Sequence, residues 1–345
     1  MQLFTIDPLS DSRWDDLVAR HPRSSAFHQR AWLEALSSTY GYAPLVLTGS
    51  PPGQALRDGL VFCRVSSWIT GTRLVSLPFS DHCEPLAGEV RLPEYFDWLR
   101  TECDRHRYSY VEIRPLTWSP DEKLPLPSGR AYYVHTLDLT LSPEKLFRSL
   151  HKDSMQRRIR RAENEHLSYE VGRSDQLVEE FCRLQLITRR RHQLIPQPKA
   201  WFRNLVRCMG EKLQIRLARK GTVPIAALLA LRHRSSIIYK YGCSDARFHH
   251  LGAMPFLFWR LIDESRAAGA VEMDLGRSDL DQQGLITFKD RLGASKRRLH
   301  YIRYSRSGKP DAPGRLDTNR VRRIFPLLPD LLLLSAGRIL YKHLG

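Results

Sequence analysis

One order of elements occurs twice along the 345 residues, and it constrains the fold more than any single motif does. Extended apolar runs at Pro44 to Thr48, Gly59 to Val65 and Leu74 to Leu77 are bounded by Gly, Pro or Ser, which favours strands. A helix from Pro93 to about His106 follows, with Tyr95, Trp98, Leu99 and Cys103 at helical spacing, and then a strand at Tyr110 to Arg114. The second half opens at Ser142-Pro143-Glu144, a capped helix start whose propensity continues towards Glu165. Strands are expected at Leu167 to Val171, Leu213 to Arg219, Val223 to Leu231 and Ser236 to Tyr241, with helices at Gln176 to Arg191 and Lys199 to Met209. Helix Pro255 to Ala268 and strand Val271 to Leu275 then complete a second meander, helix and strand. A gap-free shift of 160 positions pairs Phe96 with Phe256, Arg100 with Arg260, Val111 with Val271 and Glu112 with Glu272.

The reading is therefore an α/β (α+β) chain of two pseudo-symmetric domains, each a mixed, mostly antiparallel sheet flanked by helices. The expected domains are 1–140 and 141–306, followed by a basic amphipathic tail, 307–345. Length agrees, because a chain this long exceeds the usual single-domain size.

A formal charge of +17, from 54 basic and 37 acidic residues, implies anionic partners: nucleic acid, nucleotide phosphates or an acidic membrane surface. The cysteines, Cys63, Cys83, Cys103, Cys182, Cys208 and Cys243, form no CxxC or CxxH pair, which argues against structural zinc and for a reduced cytoplasmic setting. Met1 to Ser10 has no basic patch followed by an apolar core, so no secretory signal is expected. The leucine run, Leu331 to Leu334, is far short of the ~20 residues of a membrane-spanning helix.

Three stretches of side chains carry candidate chemistry by position alone. In strand Val271 to Leu275 alternation puts Glu272 and Asp274 on one face, where paired carboxylates raise one another's pKa towards that of a working base. A solvated strand face is the plain alternative for Glu272. Along Lys152 to Glu165, Met155, Ile159 and Ala162 make a buried stripe and leave Arg157, Arg160 and Arg161 as a phosphate grip or a solvated basic face. Tyr239 and Tyr241 are expected on one strand face, lining a channel or simply packed.

An ordered set of segments carries a family resemblance: Tyr239-Lys240-Tyr241-Gly242-Cys243-Ser244-Asp245, Met254 to Trp259, Val271 to Ser278, and Gly284 to Lys289 with Leu292-Gly293. Upstream, Ser154 to Ala162 and Phe27 to Leu33 extend it over most of the chain. The sequence resembles the FemAB family of aminoacyltransferases, within the GNAT acetyltransferase superfamily. The resemblance implies two tandem GNAT-like domains and transfer of an acyl group to an amine or sugar on a cell-envelope precursor of peptidoglycan or exopolysaccharide.

It also implies a catalytic role for Lys289, beside Phe288, as the cation that steadies an oxyanion. Arg277 and Ser278 then contact substrate after Asp274, and Asp81 and His82 border a cleft between domains. The coiled-coil arm of some tRNA-dependent members has no counterpart here, so acetyl-CoA or another acyl-CoA stands ahead of aminoacyl-tRNA as donor. In acetyltransferases a Q/R-x-x-G-x-G/A loop holds the CoA pyrophosphate at a helix start. The loop His249-His250-Leu251-Gly252-Ala253-Met254 keeps the central Gly252, with Ala253 after it at the helix start, but replaces the first and last motif positions.

No metal is expected, since His249 and His250 lack a second ligand pair. Ser80 to Glu84 does not read as a Cys-His nucleophile, and no GxSxG elbow occurs. Arg320 to Gly345 mixes leucines with basic residues, and two readings stay open. It lies on an anionic membrane at the cytoplasmic inner face, or it is a terminal helix that docks its leucines on the second domain. The competing functional class is a phosphate- or RNA-binding module on the same scaffold.

Overall fold

A computed structural model describes residues 2–88, 92–117, 128–306 and 329–344. The chain divides into two compact units, 1–132 with 299–318 and 336–345, and 133–298 with 319–335.

The first unit begins with β1 (Phe4–Ile6), α1 (Arg13–Arg20) and α2 (Arg30–Tyr40), none of which the apolar patterning had marked as an element. Gly41 ends α2 in the left-handed region at φ 70°, a conformation that glycine adopts without a Cβ clash. Strands β2 (Ala43–Thr48), β3 (Leu60–Val65) and β4 (Arg73–Val75) form the expected meander. Helix α3 (Leu92–Arg105) then leads to β5 (Val111–Ile113), which pairs with β4 in parallel. The meander's last strand is shorter than expected because Leu77 turns to φ 60°. Tyr95, Phe96, Leu99 and Cys103 are the buried stripe of α3 against this sheet.

The second unit takes over within β6 (Ser128–Asp138). The expected continuous helix up to Glu165 is in fact broken: α4 (Pro143–Ser149) ends at Leu150, Lys152–Gln156 winds as a π-helical turn, and α5 is Arg157–Asn164. Ser142 Oγ caps α4 by accepting from the Lys145 amide, with Pro143 in the first turn. Next come β7 (Ser168–Gly172), α6 (Asp175–Arg191), α7 (Lys199–Met209), β8 (Leu213–Lys220), β9 (Val223–His233) and β10 (Ser236–Ser244). Helix α8 (Ala253–Ala267), β11 (Glu272–Asp279), α9 (Gln283–Asp290), β12 (Ser295–Tyr304) and α10 (Asp330–Leu344) complete the chain.

Within the second unit the strand order is β6-β11-β10-β9-β8-β7, antiparallel from β7 to β10 and parallel between β10 and β11. Each unit thus holds one parallel pair joined by a helix, β4-α3-β5 and β10-α8-β11. The residues matched by the 160-position shift agree in the helices and differ at the strands, where Val111 and Glu112 are buried but Val271 and Glu272 are exposed. Phe96 and Phe256 are buried in α3 and α8. Arg100 covers the ring of Tyr304 at 5.6 Å, as Arg260 covers that of Tyr169 at 4.8 Å.

Of the tail, residues 307–328 and 345 lie outside the described ones. From residue 336 α10 belongs to the first unit, where Tyr341 packs on Phe79 at 5.7 Å and its carbonyl accepts from Tyr42 Oη. The end of this helix is therefore held by the first unit, whereas its start, which carries Leu331 to Leu334, belongs to the second, with Asp330 paired to Arg190 at 2.7 Å.

Candidate active site

The site grows from the parallel pair of the second unit. Strands β10 and β11 pair only from Ser236/Glu272 to Ile238/Asp274, yet β10 runs on to Ser244 and β11 to Asp279. A bulge at Lys240 marks the departure, since Tyr239 faces Ala230 of β9 while Tyr241 faces its neighbour Leu229. That extra residue reverses the alternation and corrects the expectation of a shared tyrosine face. Tyr239 packs on Phe258 of α8 at 4.7 Å, whereas Tyr241 packs on Phe202 of α7 and its hydroxyl accepts from Trp201 Nε1 at 2.9 Å.

Beyond the bulge lies a cavity of about 530 Å³. Its apolar wall includes Met155, Ile225, Ala226, Phe248, Met254 and Phe288, and its polar groups include Arg158, Asp245, His249, Gln283, Thr287 and Arg291. The start of α8 forms one end, where a helix presents N–H groups without intrahelical partners. Gly252 makes that position possible. Its φ is 77°, and a Cβ there would stand 2.2 Å from the Arg158 carbonyl oxygen. Only a glycine lets the loop before α8 lie against the turn that carries Arg158.

Arg158, not the expected trio, is the arginine of α5 on the cavity. Arg157 pairs with Asp153 at 2.9 Å, Arg160 covers the Phe147 ring and Arg161 pairs with Glu165, all of them exposed. The stripe of Met155, Ile159 and Ala162 is buried as expected, and Arg158 Nη1 donates to the His249 carbonyl beside the cavity.

His249 itself is held by Ser244 Oγ at 2.9 Å and Arg191 Nη1 at 3.0 Å. Burial, then the charges of Arg191 and Arg158, hold its imidazole below the usual range. Asp245 caps the turn of Ala246–Leu251 and binds Arg247 at 2.6 Å, a hydrogen bond that lowers its carboxyl pKa.

Asp274 and Lys289 meet one another's work at Gly276. Asp274 Oδ1 accepts from the Gly276 amide at 2.7 Å, and Lys289 Nζ donates to the Gly276 and Arg277 carbonyls at 2.8 and 3.0 Å. Both side chains are buried, at 6% and 2% exposure, and neither lines the cavity. They fasten the bend at the end of β11 from which α9 brings Gln283, Thr287 and Phe288 to the cavity wall.

His135 of β6, fully buried, lies 3.4 Å from Asp290 Oδ1, and burial together with the Lys289 charge lowers its pKa. Ser278 Oγ is buried and has no hydrogen-bond partner among the described residues. Glu272 is exposed at the start of β11, so the strand does not present it as Asp274 is presented.

The resemblance of residues 149–289 is decided by comparison with protein families, whose acetyltransferase (GNAT) domain matches that span. Residues 149–289 are a GNAT acetyltransferase domain. Gly252, Asp274, Lys289 and all the cavity-lining residues but Arg291 fall inside it. Comparison with functionally curated proteins gives no match. Among solved structures, FemX is similar over 88% of this chain and 97% of its own, with a TM-score of 0.65 and 12% identity. L-PGS from Bacillus licheniformis follows at 93% and 98% coverage, TM-score 0.56 and 13% identity. A tandem GNAT protein from the clavulanic acid biosynthesis pathway covers 90% and 100%, with TM-score 0.53 and 11% identity. The fold is therefore that of tandem GNAT proteins, FemX-like in extent.

Asp81 and His82 belong to the first unit, outside the GNAT domain match. The Asp81 carbonyl accepts from Tyr301 Oη at 2.7 Å, and buried His82 stands edge-on to Phe27. Cys83 does meet a histidine, His28, at 3.4 Å, but burial pushes its thiol up to about 12, so it is no nucleophile at neutral pH. No group of three or more metal-ligating side chains occurs among the described residues, and no helix of theirs is long and apolar enough to cross a membrane.

Proposed function

We propose that the chain transfers an acyl group from a phosphate-bearing donor bound in the cavity of the GNAT domain. Acetyl-CoA or another acyl-CoA comes before aminoacyl-tRNA as that donor. The acceptor is an amine or sugar on a cell-envelope precursor, a class supported by the likeness in fold to FemX and L-PGS. The reaction forms a bond from the acceptor nitrogen or oxygen to the acyl carbon and breaks the donor's ester or thioester bond. The proton that the acceptor loses ends on the departing thiolate or alkoxide, which leaves as free thiol or alcohol.

The observation that carries the reading is the contact of Gly252 with the Arg158 carbonyl. It brings a helix start and a guanidinium to one end of a largely apolar cavity. Arg158 and Arg291 bind the phosphates, and the apolar walls shield the reacting ester from water. Asp274 and Lys289 are positioning residues in this reading, because both are spent on Gly276 and set the wall that α9 contributes.

Thermal shift with CoA, acetyl-CoA and total tRNA at two salt concentrations tests it. At a hundredfold excess over Kd, acetyl-CoA should stabilise the chain by about 2.7 kcal/mol, persist at the higher salt and lose that effect in Arg158→Glu. Stabilisation by tRNA alone, fading with salt, would favour an aminoacyl donor or an RNA-binding module.

A further inference from the structure

Trp68 at 83% and Ile339 at 57% are the two most exposed large apolar side chains among the described residues. Both belong to the first unit, and a ring contact brings their surroundings together. The indole stands edge-on to His343 at 5.6 Å, and His343 is one helical turn after Ile339 on α10.

The indole is not exposed because its loop is loose. Ser67 Oγ accepts from the Ile69 and Thr70 amides and meets His343 Nδ1 at 2.9 Å. Arg73 Nη2 and Thr70 Oγ1 both donate to the His343 carbonyl, at 2.7 and 3.3 Å, which satisfies the last turn of α10. The first two bonds brace the loop internally, the three to His343 tie it to the helix end, and none covers the indole.

Cations flank the apolar pair. Arg338 and Lys342 are exposed, one turn apart on the helix that carries Ile339. Their stems can lie along apolar surface while their heads stay in water, and an indole favours the boundary between hydrocarbon and water. A second copy of the chain seated here would bring like charges together. An anionic surface is complementary, and the chain carries +17.

We propose that Trp68 and the exposed face of α10 dock on an anionic phospholipid surface, with Trp68 and Ile339 at headgroup depth and Arg338 and Lys342 on the phosphates. This goes beyond the acyl-transfer reading and does not depend on which donor is used.

The test is co-sedimentation of the full chain with vesicles of phosphatidylglycerol and phosphatidylcholine, against phosphatidylcholine alone. The native chain should sediment with the anionic vesicles only, with a blue shift of indole emission that Trp68→Phe abolishes. The double variants Trp68→Ala with Ile339→Glu, and Arg338→Glu with Lys342→Glu, should each weaken binding by about tenfold or more. The second pair alters exposed charges only, so it decides the matter if the first fails to fold. Acetyl-CoA stabilisation should be unchanged in both, which separates failure here from failure of the donor assignment. Equal binding of native and variant chains, no binding to anionic vesicles, or a native dimer that Trp68→Ala converts to monomer would overturn the proposal.

Discussion

The two parallel pairs, β4-α3-β5 and β10-α8-β11, are built alike and filled differently. After β4 the chain closes on its own sheet: the Ser76 amide binds the Glu112 carbonyl and the Cys83 amide binds the Arg114 carbonyl. Arg114 in turn donates to the Leu77 and Ser80 carbonyls, and Glu112, 3% exposed, binds both Arg114 and Arg303. The corresponding stretch after β10 instead parts from β11 at a bulge, and a cavity of about 530 Å³ lies beyond it. The opening against α3 in the first unit measures only about 10 Å³, room for one water. One framework thus carries a chain hydrogen-bonded back to its sheet after β4 and a cavity after β10. What separates them is where the buried charges are used.

That contrast can be broken first at Glu112. Glu112→Gln leaves two arginines short of a buried partner and should cost about 3 to 5 kcal/mol, seen as a lower urea midpoint. Burial raises the Glu112 pKa, but Arg114 and Arg303 outweigh it and hold the carboxyl below its ordinary value. Its contribution is therefore fully present above the ordinary glutamate pKa and is lost as pH falls through the lower folded value. Acid titration of stability should show this loss in the native chain and less of it in the variant.

In the second unit, Gly252→Ala forces a left-handed alanine against the Arg158 carbonyl and should cost on the order of 3 kcal/mol and the acetyl-CoA shift. Lys289→Met removes the donor to two carbonyls, so about 2 kcal/mol should go by thermal melt, with turnover falling about a hundredfold.

Asp274→Asn sharpens the assignment, because the amide oxygen still accepts from Gly276 while the charge is gone. Unchanged turnover leaves Asp274 a positioning role only, whereas a fall of about a hundredfold in an intact fold makes its charge part of the chemistry. Glu272→Gln, on an exposed side chain, should change stability by less than about 0.5 kcal/mol.

The repeat was legible because it is written in long apolar elements, and the residue pattern alone places α3, α8, β10 and β11. Strand β12 was hidden by the run Lys296, Arg297 and Arg298, whose exposure removes the alternation that marks a strand. The site was legible in part. Gly252, Phe288, Asp274 and Lys289 stood out by motif, but one extra residue at Lys240 separated Tyr239 from Tyr241. That is a single-residue departure from a period, which period counting cannot register. The helical period fixed the buried stripe of α5, but which of its arginines meets the cavity depends on where the Gly252 loop lies. That the Lys289 ammonium serves the Gly276 and Arg277 carbonyls depends on packing across a bend, which spacing alone does not reveal.

Hydrogen exchange of the full chain with and without acetyl-CoA tests the division of labour most directly. Added protection should fall on 252–258 and 283–291, with the amides of 73–84 and 110–114 unchanged. Protection spread over the first unit, or none in the second at saturating acetyl-CoA, would contradict it.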